Sequence, residues 1–93
     1  MKIIYRVHAV ERMFERDISE EVVEEIIKDG KIIEEYPEDQ PYPSFLVLGF
    51  EKGESNKPVH VVYAENGEEV IVITVYRPDT SKWSENFKER LPR

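Results

Sequence analysis

Residues 59–76 read VHVVYAENGEEVIVITVY: two runs of β-branched and aromatic residues flanking Asn66-Gly67. Such residues suit a pleated, half-buried surface, and Asn-Gly between two of these runs is the strongest short hairpin signal. The last two strands are therefore expected to be antiparallel neighbours. A two-residue loop at Asn66-Gly67 sets His60 opposite Ile73. It groups His60, Val62, Ile71, Ile73 and Arg77 on one face and Val61, Tyr63, Val72, Thr74 and Tyr76 on the other, because side chains alternate along a strand. Both faces are largely apolar. The hairpin thus belongs at the centre of a sheet, with helices covering one side and another element covering the second.

Working outward, KIIEEY (31–36) and SFLVLGF (44–50) read as two more strands, and Ile3, Ile4 and Tyr5 as a short first one. The segment Tyr36 to Ser44 holds Pro37, Pro41 and Pro43, which fix φ and remove donors, so it reads as a stiff, extended loop. EKGESNK, around Gly53, is a plain hairpin connection. Upstream, HAVERMFER (8–16) has helical spacing, with Ala9, Val10, Met13 and Phe14 as its core face and His8, Arg12, Glu15 and Arg16 within an arc of about 100° on the other. Arg6 stands where a Ser or Thr would be expected to cap that helix. Ser19 caps a second helix that runs to Asp29, carries the stripe Val22, Val23, Ile26 and Ile27, and stops at Gly30. At the other end, Asp79 to Ser81 offer caps for a last helix in which Trp83, Phe87 and Leu91 recur every four residues. The pattern predicts one α+β domain over residues 1–93, ordered β-α-α-β-β-β-β-α. Two N-terminal helices pack on a mainly antiparallel sheet of four to five strands, and a short C-terminal helix follows.

Ninety-three residues suffice for a single core but not for a catalytic domain plus a substrate domain. Forty per cent hydrophobic and 35% charged residues is a globular composition. Without cysteine there are no disulfides, thiolate metal sites or cysteine nucleophiles. No apolar run approaches the roughly 18 residues of a membrane span, and the start lacks a signal-peptide pattern. A cytoplasmic protein without membrane contact is expected. The net charge of −7 argues against coating nucleic acid by bulk electrostatics, while Arg77, Lys82, Lys88, Arg90 and Arg93 leave room for a local basic patch.

The chain shows no glycine-rich phosphate loop, nucleophile elbow, HExxH helix or His/Cys pair at metal spacing, so no cofactor and no metal is expected. What remains is His8, Arg12 and Arg16 on one helix, His60 on a central strand, and Arg77 beside Tyr76 at a strand end. Metal-free RNA cleavage uses these residue types. A base takes the proton of the ribose 2′-hydroxyl, an acid protonates the departing 5′-oxygen, and cations stabilise the phosphate charge. His8 and His60 would exchange protons while Arg12, Arg16 and Arg77 bind phosphate. A plainer reading stands beside this one. His60, between Val59 and Val61, is then a buried histidine with a satisfied hydrogen bond, and Arg12 and Arg16 are surface partners of Glu11 and Glu15.

HAVERMFERDIS, GKIIEEYPEDQPYPSFLVLGF, KPVHVVYA and VIVITVYRPDTSKW, in that order and spacing, resemble the bacterial domain-of-unknown-function 4258 family over nearly the whole chain. That family is similar in layout to the small RelE-like and BrnT-like toxins of toxin-antitoxin pairs. The resemblance implies a metal-independent endoribonuclease acting on RNA and held inactive by an antitoxin partner. The alternative is a non-catalytic interaction domain. Its Trp83-Phe87-Leu91 stripe or sheet edge would pair with a second protein or with itself as a homo-oligomer. A small-ligand pocket near Tyr36, Tyr42 and Tyr76 is a third reading.

Overall fold

The computed structural model describes residues 2–92. The elements in order are β1 (Lys2–Tyr5), α1 (Val7–Arg16), α2 (Glu20–Asp29), β2 (Lys31–Tyr36), β3 (Ser44–Phe50), a 3-10 turn at Glu51–Gly53, β4 (Pro58–Asn66) and β5 (Glu69–Tyr76). The five strands form one mixed sheet in the order β1-β5-β4-β3-β2, with β1 parallel to β5 and every other pair antiparallel.

Both helices lie on one side of the sheet. The core between the layers is built from Ala9, Met13, Ile18, Val22, Val23 and Ile26 against Val47, Val59, Val61, Tyr63, Val70, Val72 and Val75. Ser19 caps α2 as the sequence predicts, its hydroxyl accepting from the Val22 N–H at 3.2 Å. Arg6 precedes α1 without any side-chain cap, and α1 closes instead on Asp17 in the left-handed region (φ 56°). The approach of α2 to β3 depends on Gly49, where a Cβ would meet Ile26 Cγ1 at 2.4 Å.

Four expectations are corrected. The first concerns the hairpin turn. Asn66 pairs with Glu69, so the two loop residues are Gly67 and Glu68. Gly67 sits at φ +60°, which suits the first central position of a type II′ turn, where glycine is favoured. A bulge then leaves Ile73 unpaired between Val62↔Thr74 and Tyr63↔Val72, so His60 faces Tyr76 rather than Ile73. One extra residue has moved Thr74 and Tyr76 to the His60 face and Val75 to the helix side.

Second, among the described residues no helix follows Tyr76. The segment 78–92 makes turns and an isolated bridge between Trp83 and Arg90. Short polar side chains compete there with helical backbone bonds. Asp79 accepts from the Ser81 N–H, Asn86 from the Lys88 N–H and Ser84 from the Glu89 N–H, while Phe87 takes a left-handed φ of 62°. Third, the sheet is mixed, because β1 comes back parallel to β5.

The fourth correction concerns α1. Only Ala9 and Met13 of its expected core face are buried. Val10 is 52% exposed and Phe14 90%, and with Val7 at 75% they form a second apolar stripe turned away from the sheet.

Candidate functional site

Alternation along β4 sends Val59 and Val61 into the core beneath the helices and His60 to the far side of the sheet. There the segment 78–92, a strap bonded to β4 through Phe87 and to β2 through Arg90, lies over it, and 0% of the residue is exposed. His60 Nε2 lies 2.8 Å from the Phe87 carbonyl oxygen, which can only accept, so Nε2 carries the proton. Nδ1 is then the acceptor for the Tyr76 hydroxyl at 3.1 Å. Both ring nitrogens are spent. Burial holds the imidazole below its ordinary pKa, with the bond to Phe87 opposing in part, which favours the neutral ring that the two hydrogen bonds require. Burial likewise pushes the Tyr76 hydroxyl up to about 12.

The strap itself supplies Trp83, 4% exposed, whose ring meets His60 edge-on at 4.4 Å. Arg90 lies across the strap from Trp83, its guanidinium 4.7 Å from the indole centroid. The same guanidinium donates to both carboxylate oxygens of Glu34 at 3.2 Å. Tyr36 hydrogen-bonds Glu34 as well and receives an Arg90 N–H at 3.5 Å. Burial alone would raise the Glu34 pKa, but the bonds from Tyr36 and Arg90 outweigh it and hold the carboxyl below its usual range. Arg90 is raised in turn by Glu34. His60, Tyr76, Glu34, Tyr36 and Arg90 therefore make one cluster beneath and along the strap.

The residues singled out from the sequence do not converge. His8 is exposed on α1, on the helix side of the sheet, while His60 is buried on the other. Arg12 pairs with Glu15 at 2.9 Å, and the Arg16 side chain is exposed. Arg77 does reach the end of α1. There it donates to the Arg16 and Asp17 carbonyls, both at 3.3 Å, and to Glu51 at 2.8 Å, which holds the Glu51 carboxyl below its usual range. Its guanidinium clamps a helix terminus. Among the described residues no three of His, Asp and Glu come together as a metal site.

The outer face of α1 carries a second signal in the sequence. At about 100° per residue, Ala9 and Met13 lie near 180–220° and Val10, Phe14 and Val7 near 280–340°. That is two stripes, and a helix lying on one sheet buries one. The two-helix segment is acidic overall, with eight carboxylates against three Lys and Arg over residues 7–29, and Phe14 lines a groove with Asp17, Glu21 and Glu51.

The sequence model of a family described as a domain of unknown function (DUF4258) matches residues 5–77. The chain belongs to the DUF4258 family. The match takes in both helices and all of the sheet except the first residues of β1, and it ends where the strap begins. No curated protein and no solved structure matches the DUF4258 chain. Among the described residues of this DUF4258 domain, no helix is long and apolar enough to cross a membrane.

Proposed function

We propose that this domain is a non-catalytic docking module, and that its partner is a protein presenting a cationic amphipathic segment to the outer face of α1. The observation that carries the reading is Phe14, 90% exposed, in line with Val10 and Val7 at i, i+3 and i+7 spacing. This is the way an amphipathic groove binder anchors its partner. The stripe is about 10 Å long at 1.5 Å per residue, two turns of a partner helix. The net negative charge of the helical segment, with Asp17, Glu21 and Glu51 beside Phe14, favours a positively charged partner, steers its approach and repels a second copy brought face to face.

A fluorescently tagged, 18-residue Leu/Lys amphipathic peptide is the probe, with its Leu/Glu counterpart as control. The parent should bind the cationic peptide in a salt-sensitive manner and ignore the acidic one. Val10→Ser/Phe14→Ser should weaken binding at least tenfold, since burying each apolar side chain is worth about 1.5–3 kcal/mol. Equal binding by parent and variant would sink the proposal, as would a dimer of the free protein that Phe14→Ser dissociates.

A toxin-like, metal-independent endoribonuclease restrained by an antitoxin is the second reading. The clustering of His60, Tyr76, Glu34, Tyr36 and Arg90 favours it, since perturbed titratable groups gather at functional sites. It requires the strap to lift, because neither His60 nitrogen is free beneath it. Cleavage of a mixed-sequence RNA by the folded parent in EDTA, lost in His60→Gln, would decide for it over the docking module.

A further inference from the structure

We infer that the far face of the sheet is a peptide-recognition seat for a protein segment that pairs a tryptophan with an arginine across a tight turn, and that the chain's own strap fills this seat in the resting protein. The seat belongs to the body of the domain. Its reading groups are His60, Tyr76, Glu34 and Tyr36, all within the family match, whereas the strap begins beyond it at Pro78.

Each body group reads a different feature of the occupant. The buried His60 N–H recognises a backbone carbonyl, that of Phe87, and so imposes no demand on the side chain there. The same imidazole lies perpendicular to an indole, that of Trp83, with the ring centroids 4.4 Å apart. Glu34 takes a guanidinium in a two-oxygen fork, with the Tyr36 hydroxyl beside it. Fork geometry of this kind selects arginine over lysine. The occupant's internal bonds, Leu91 N–H to Lys82 carbonyl and Ser84 N–H to Glu89 carbonyl, both 2.8 Å, hold Trp83 and Arg90 face to face. The ligand is thus a compact turn rather than an extended strand.

The strap shares no strand ladder with the body, and its Arg90 side chain is 60% exposed. Closure of this kind lies at the low end of local stability, so the segment opens without unfolding the sheet. A tethered occupant also competes at an effective concentration in the millimolar range. Weakening the tethered copy should therefore strengthen binding of a free one.

The test uses the full chain and a fluorescein-labelled peptide of residues 79–93. Arg90→Ala removes the guanidinium from the strap while leaving the seat intact. That variant should bind the peptide about tenfold tighter than the parent. Trp83 is the only tryptophan, and its emission should shift to the red as the strap opens. Adding Glu34→Gln, or using a peptide whose arginine is replaced by alanine, should reverse the gain, and Phe14→Ser should not change it. Four results would each overturn the inference: equal binding by parent and Arg90→Ala, an unshifted Trp83 emission in that variant, binding indifferent to Glu34→Gln, or a strap-exchanged dimer of the free parent.

Discussion

His60→Leu, made in a His8→Gln background so that His60 is the only histidine in the reference protein, isolates the bond between sheet and strap. The substitution leaves the Phe87 carbonyl and the Tyr76 hydroxyl without the partners they have at 2.8 and 3.1 Å. An unpaired buried group costs about 1–3 kcal/mol; these two are only part-buried, at about 1–2 kcal/mol each, so a loss of about 2–4 kcal/mol is expected. For a domain of this size that corresponds to a fall in Tm on the order of 10–30 °C. The pH dependence is the sharper readout. His60 is neutral in the fold with a lowered pKa, whereas in the unfolded chain it takes up a proton near pH 6.5. Stability is thus full above that value and falls as the pH drops below it, by up to about 1.4 kcal/mol between pH 7.5 and 5.5. Carboxylates held low in the fold, Glu34 among them, lose their contribution only below the ordinary carboxylate range and so outside this window, which leaves the difference between the two proteins to report His60. Urea titrations followed by far-UV circular dichroism at the two pH values give that difference. If His60→Leu loses as much stability on acidification as its reference, the neutral, doubly bonded histidine is wrong.

Gly49→Ala places a methyl group 2.4 Å from Ile26 Cγ1, so α2 must shift, and a loss of about 1–3 kcal/mol in chemical denaturation is expected. Asp17→Gly relieves a left-handed residue at the end of α1, where glycine carries no Cβ penalty. It should leave the Arg77 clamp on the Asp17 carbonyl intact and raise stability by about 0.5–1 kcal/mol in the same assay.

Strand identity and the second helix are legible in the sequence because their determinants are local. Valine-rich alternation marks β4, and the Ser19 cap followed by acidic residues marks α2. Registers are another matter. The signal at Asn66-Gly67 locates a turn but not which two residues form its tip, and nothing in VIVITVY announces that Ile73 will bulge. That one unpaired residue carries Tyr76 to His60, so the central contact of the far face depends on a non-local choice. The strap was misread because Trp83, Phe87 and Leu91 have helical spacing while Ser84 and Asn86 have side chains that cap turns, and periodicity weighs only the first. The exposed stripe of α1 was hidden by the opposite error. The apolar residues of α1 cover more of the helix than one sheet can bury, so apolarity alone does not tell which of them are core. His60 itself was legible as a buried histidine between two valines, but its partners lie 16 and 27 residues away in sequence.

The parallel pairing of the first strand with the last has a consequence for how the chain is made. Ile3 finds its ladder partner only in Val70, and α1 rests chiefly on β5. At about 5–20 residues per second, β1 and α1 leave the ribosome several seconds or more before the strand that seats them. Throughout that wait Ala9 and Met13 are as uncovered as Phe14, and the nascent helix is apolar over half its circumference. The domain is therefore completed from its end, and any truncation that removes β5 also leaves the first sixteen residues without a place to fold.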